Sequence, residues 1–79
     1  MTILYFAQTR RLAGVASESV SLPPPVTSDL LWRELLVRHP ALAPLRSVTR
    51  FARNGEFAGA DVVFSPDDEV ALIPPVSGG

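Results

Sequence analysis

The sequence has no cysteine, no lysine, a single histidine and no apolar run of the length that crosses a bilayer. Without cysteine, neither a disulfide framework nor a thiolate metal site can compensate for a small core, and any redox or sulfur chemistry must use another atom. His39 alone makes no multidentate metal site, and the carboxylates lack the loop spacing that holds calcium, so no metal is expected. A net charge of -1 argues against nucleic acid as a partner, because phosphate neutralisation needs a basic stripe, and it removes the electrostatic term of membrane-surface binding. The start, Met-Thr-Ile-Leu-Tyr-Phe, has neither the charged region nor the longer apolar core of a signal peptide. The cytoplasm is therefore the expected location. All seven basic residues are arginine, so the chain offers no lysine amine as an isopeptide acceptor.

What is present is enough for one ordered domain. At 79 residues the chain is too short for two cores, and 47% hydrophobic with 19% charged residues is the composition of a globule rather than a disordered chain. A chain of this size buries roughly 60% of its unfolded surface.

Residues 2 to 8 are rich in β-branched and aromatic types and apolar on both faces, which predicts a central strand. Arg10 to Gly14 reads as a polar turn. Ser17 to Leu22 alternates, with Val20 and Leu22 to one side, and predicts a half-buried strand that makes a hairpin with the first. Pro23-Pro24-Pro25 is a stiff extended connector. Ser28 is placed to cap a helix with Asp29 in its first turn, and Leu31, Trp32, Leu35 and Leu36 give that helix a face for a sheet. It should end near Arg38, because Pro40 disfavours helical geometry at His39. Residues 40 to 47 read as a loop, and 48 to 53 as a strand. Asn54-Gly55 is the pair suited to a two-residue hairpin turn, with 56 to 58 returning. Val62-Val63-Phe64 reads as an apolar anchor in a connecting segment, 65 to 68 as a turn and Glu69 to Ile73 as the last strand. The order is ββαβ(β)β, an α+β layout in which a mixed sheet packs on one main helix. The first and last strands, the most apolar, should lie centrally, side by side and parallel.

Most reactive side chains have plain structural roles in this reading. His39 closes a helix near its negative end, and no nucleophile-elbow sequence supplies it with a serine. Asp67-Asp68-Glu69 reads as a solvated turn, with docking to a basic partner as the other possibility. Arg10 and Arg11 read as surface charges near a turn or as a partner contact, since arginine is enriched at interfaces. Trp32 reads as core. The tail is different. Pro74 and Pro75 stop the last strand and hold the chain in an extended, low-entropy path away from the sheet. Val76 and Ser77 lengthen it, and Gly78 and Gly79, lacking side chains, let a terminal carboxylate enter a narrow channel. A frayed terminus is the plain alternative, but it needs no prolines between a core strand and the glycines.

Asp68-Glu69-Val70-Ala71-Leu72-Ile73-Pro74-Pro75-Val76-Ser77-Gly78-Gly79, together with Leu4 to Arg10, Leu12, Gly14 and Asn54, resembles the sulfur-carrying small subunits of molybdopterin synthases, in the ubiquitin-like β-grasp superfamily. The resemblance covers essentially the whole chain. It departs at Asp67, where glycine is usual, and at Arg11, where an acidic residue is usual. It implies a β-grasp domain over residues 1–75 and an extended Gly-Gly tail over 76–79. It also implies no bound cofactor: an E1-like adenylating enzyme uses ATP to convert the Gly79 carboxylate to an acyl-adenylate, and a sulfur donor protein supplies the sulfur of a thiocarboxylate. The tail then enters the large synthase subunit, in an assembly of two small and two large subunits, and gives its sulfur to cyclic pyranopterin monophosphate to build the molybdopterin dithiolene. The active site would lie on the large subunit. Partner contact is expected from Pro74, Pro75, Val76, Ser77 and Gly78 of the tail. It is also expected from Phe6, Arg10, Leu72 and Ile73 on the sheet face the helix leaves open. Carriers of the same fold for thiamine, cysteine or tRNA thiolation, and ubiquitin-like protein modifiers, are the alternatives.

Overall fold

The computed structural model describes residues 1–75, and the last strand of the chain lies at the middle of its main sheet. The elements in order are β1 (Thr2–Tyr5), α1 (Ala7–Ala13), β2 (Ser17–Ser19), β3 (Val26–Thr27), α2 (Ser28–Arg38), a 3-10 helix (Pro40–Leu45), β4 (Arg50–Arg53), β5 (Glu56–Phe57), β6 (Val63–Phe64) and β7 (Glu69–Ile73). The five-stranded sheet runs β2-β1-β7-β4-β5, and β3 pairs with β6 in a separate two-stranded ribbon. β1 and β7 are parallel, with Ile3 opposite Val70 and Tyr5 opposite Leu72. The other pairings are antiparallel. The expected central, parallel first and last strands are thus present.

The core lies between this sheet and α2. Ile3, Val70, Leu72, Leu31 and Leu35 are fully buried. Trp32 is also core: its ring lies 5.0 Å from that of Phe51, which meets Phe64 edge-on. Such offset and edge-to-face pairs add to simple area burial. α2 is capped by Thr27 rather than by Ser28, for it is the Thr27 hydroxyl that accepts from the Leu30 amide at 3.2 Å. Residues 40 to 45, expected as loop, form the 3-10 helix, which fully buries Leu42.

The largest departure from expectation follows β1. The strand ends at Tyr5, and residues 7 to 13, expected as strand and turn, form the helix α1. The cause is local. The Thr9 hydroxyl donates to the Phe6 carbonyl at 2.7 Å and accepts from the Phe6 amide at 3.1 Å, closing the first turn. Gly14, at φ 79°, ends the helix by donating to the Arg10 carbonyl, a left-handed stop that glycine adopts without a Cβ penalty. β1 and β2 still pair, but with a helix between them instead of a tight turn. β2 is also shorter than expected, although Val20 continues its ladder through reciprocal hydrogen bonds with Met1. Asn54 and Gly55 both have positive φ and make the anticipated β4–β5 turn.

Candidate functional site

Alternation along β7 decides which side chains the molecule can present. Val70 and Leu72 point at α2 and are fully buried, while Ala71 and Ile73 face the other way and are half-buried. Leu72 is therefore core, not contact surface, because successive strand residues point to opposite faces. Ile73 does lie on the open face. Phe6, 48% exposed, is beside it, but as the residue that ends β1 and opens α1.

The cross-strand register makes one row on the open face. Leu4 lies opposite Ala71, Ala71 opposite Ala52, and Ala52 opposite Phe57. Two small residues in the middle of such a row leave a depression. The resulting groove, about 320 Å3, is lined by Leu4, Phe6, Ala52, Phe57, Ala71 and Ile73, with Gly55 and Glu69 at its margin. Arg50, opposite Ile73, lays its guanidinium 4.0 Å from the Phe57 ring centre, so the exposed aromatic is held by a cation–π contact. A contiguous apolar surface of this kind marks an interaction site more than a packing defect.

The tail leaves from the C-terminal end of β7, after Ile73, which lines the same groove. Pro74 is buried and Pro75 exposed, so the first proline anchors the exit against the body of the molecule, where the sequence suggested that both led the chain away. A second groove, about 330 Å3, surrounds the exit and is lined by Phe6, Ala7, Gln8, Arg11, Ile73, Pro74 and Pro75. Arg10 is exposed on the last turn of α1. Val76, Ser77, Gly78 and Gly79 lie outside the described residues.

The ionisable clusters have structural explanations. Asp68 accepts from the Ser65 amide at 2.7 Å and from the Asn54 side-chain amide at 3.0 Å. The Ser65 bond is the main reason its carboxyl is held below the usual aspartate value, with Asn54 and Arg53 adding to it. It closes the turn before β7. Asn54 completes the link by accepting from the Glu69 amide at 2.9 Å, tying the β4–β5 turn to the start of β7; the sequence marks Asn54 as a turn residue, whereas this link to β7 is visible only in the tertiary structure. His39 caps the end of α2, donating from its backbone to the Leu35 carbonyl, and its Nε2 lies 2.8 Å from Glu18 Oε1. The Tyr5 hydroxyl donates to the same carboxylate oxygen. These groups hold elements together, and what the site offers is a surface and an exit point.

A mixed sheet with parallel first and last strands, wrapped around one principal helix and releasing its chain from the central strand, defines the ubiquitin-like β-grasp class. The model of the ThiS family matches residues 3–79. The chain belongs to that family. It is 41% identical to the human molybdopterin synthase sulfur carrier subunit, over 98% of this chain and 91% of the human one. The crystal structure of small archaeal modifier protein 1 from Haloferax volcanii matches with a TM-score of 0.87 at 31% identity, covering 100% of this chain and 98% of that one. A putative molybdopterin converting factor subunit 1 from Pyrococcus furiosus matches with a TM-score of 0.83 at 29% identity and 95% coverage of both chains.

Proposed function

We propose that this chain is the sulfur carrier subunit of a molybdopterin synthase, with residues 1–75 as the folded body and 76–79 as the working tail. One observation carries the reading: β7, at the middle of the sheet, is followed by the buried Pro74, and the sequence then runs through Pro75, Val76 and Ser77 to Gly78-Gly79 in a cysteine-free chain 41% identical to a sulfur carrier subunit. With no thiol available, the Gly79 carboxylate is where this carrier holds sulfur covalently.

The chemistry follows from the weakness of a carboxylate as an electrophile. An E1-like enzyme joins the Gly79 carboxylate to AMP from ATP, releasing pyrophosphate. The terminal sulfur of a donor protein's persulfide then attacks the acyl carbon and AMP leaves, and a thiol cleaves the resulting acyl disulfide, itself ending in a disulfide with the donor, to leave the thiocarboxylate. The tail inserts into the large subunit, whose site positions the sulfur against cyclic pyranopterin monophosphate, and confinement makes the attack effectively intramolecular. Two transfers complete the dithiolene, matching an assembly of two small and two large subunits in the cytoplasm. The chain itself binds no cofactor; ATP belongs to the activating enzyme. The open-face groove and Pro75 are the surfaces on which partners seat.

The reading is tested by mixing the thiocarboxylated protein with the large subunit and pterin precursor. Dithiolene product is expected, and its loss when Gly78 and Gly79 are removed. Sulfur transfer to a different acceptor, with no dithiolene, would retain the carrier chemistry and overturn the molybdopterin assignment. The likeness to an archaeal modifier protein favours a second reading, in which the same adenylate acylates target lysines. Gly79 found in isopeptide linkage on other proteins would support it.

A further inference from the structure

The turn between β4 and β5 is built from a pair that is well shaped and chemically labile. Asn54 and Gly55 both have positive φ, 51° and 90°, and both are exposed. In an Asn-Gly pair the glycine nitrogen can reach the asparagine Cγ, because glycine has no Cβ to hold it off and its backbone takes the angles that close the ring. Asparagine is for this reason a thermolabile residue. Asn54 is the single asparagine of the chain, and both ends of its carboxamide are held. Nδ2, the atom that would leave, donates to Asp68 Oδ1 at 3.0 Å, and Oδ1 accepts from the Glu69 amide at 2.9 Å. Asp68 is itself fixed by the Ser65 amide at 2.7 Å, and its carbonyl accepts from the Thr2 amide at 3.0 Å, where the β1–β7 ladder begins. The carboxamide therefore reaches the Gly55 nitrogen only by giving up two hydrogen bonds to the start of the central strand.

We propose that Asn54 is a deamidation site kept closed by this clasp, and that its modification replaces a strut between the β4–β5 turn and β7 with two opposed carboxylates. In the reaction the Gly55 nitrogen bonds to Asn54 Cγ and gives up its proton, the Cγ–Nδ2 bond breaks, and ammonia leaves. Water then opens the cyclic imide at either carbonyl, giving aspartate or isoaspartate. One water is consumed and one ammonia released. The aspartate product still accepts from the Glu69 amide, but it has no proton for Asp68, so two carboxylates meet where a donor had stood, and like charges repel. Arg53 helps hold Asp68 ionised, yet it donates to the Val63 carbonyl at 3.1 Å and makes no ion pair with Asp68. Isoaspartate adds a carbon to the main chain of a two-residue turn, which disturbs the pairing of Arg53 with Glu56. The reaction runs one way, so the clasp sets how long the native turn lasts.

The test incubates the full chain at fixed temperature and neutral pH, and reads conversion at position 54 by peptide mass mapping and isoaspartyl methyltransferase labelling. The folded chain should deamidate about tenfold more slowly than the same chain held unfolded in urea, and folded Asp68→Ala should deamidate about threefold faster than the unaltered chain, because the site reacts through local opening. Thermal melts show that Asp68→Ala is folded. The consequence of the reaction is read separately. Asn54→Asp should unfold at lower urea than the unaltered chain, and adding Asp68→Asn should recover most of that loss, since donor and acceptor are then exchanged across the same contact. This pair keeps the proposal falsifiable even if Asp68→Ala does not fold. Equal rates in the folded and unfolded chain, or a folded Asp68→Ala no faster than the unaltered chain, overturn the protection. An Asn54→Asp chain as stable as the unaltered one, or a double variant with no recovery, overturns the strut.

Discussion

At the scale of single residues, the most consequential polar group is Glu18. It lies on β2 opposite Ile3, so its side chain faces α2, where it meets the Tyr5 hydroxyl and His39 with Arg38 3.7 Å away. Burial by itself would raise its carboxyl, but the hydrogen bonds from Tyr5 and His39 and the Arg38 charge outweigh that and hold it below the ordinary 4.5. The Tyr5 hydroxyl is pushed upward, by burial first and then by Glu18, and so remains a donor. A carboxylate depressed in the folded state stabilises it above the unfolded value and ceases to do so as pH falls through the folded one. Stability should therefore drop below about pH 4.5. In Glu18→Gln that acid-side slope should be shallower, as followed by chemical denaturation at several pH values. An identical slope in the variant would show that the Glu18 carboxylate is not the group responsible.

Among the elements, β7 carries the most weight, since its two faces serve different ends. Leu72 faces the core and Ala71 the open groove, one residue apart. Leu72→Ala should cost about 2–5 kcal/mol, the range for a buried leucine whose site relaxes only partly, measured by denaturant unfolding. Ala71→Arg should change stability by less than about 1 kcal/mol, as surface substitutions do, yet block partner binding by filling the groove floor. If the two variants lost stability alike, the division of β7 into a structural and a presenting face would be wrong. The helix α1 matters for a related reason: it turns Phe6 and Arg11 toward the tail exit, which the strand expected there would not have done.

At the scale of the whole molecule, the buried hydrophobic core among the described residues extends from Ile3 to Leu72, with Pro74 the last buried position described. Removing residues 76–79 should therefore leave the unfolding free energy within about 0.5 kcal/mol of the full chain, while abolishing adenylation and sulfur transfer. Calorimetry paired with the pyrophosphate-exchange assay checks both halves. A large loss of stability on truncation would mean that the tail belongs to the fold.

Local chemistry was enough to read α2, the Asn54-Gly55 turn and the extent of β7 from the sequence, because each rests on near-neighbour rules: a 3.6-residue apolar period, a positive-φ pair and an apolar run ended by proline. The proposal for Gly79 likewise rests on the sequence, on the lack of cysteine and the Pro-Pro before Val-Ser-Gly-Gly, since residues 76–79 lie outside the described residues. Tertiary structure alone decided the rest. Val26–Thr27 and Val63–Phe64 are too short to declare themselves as strands and become so only by pairing across the chain. α1 depended on the Thr9 hydroxyl turning back on Phe6. Whether Leu72 or Ile73 faced outward was a matter of registering β7 against β1 and β4. An isolated strand that is apolar on both sides carries no mark of which face the helix will cover.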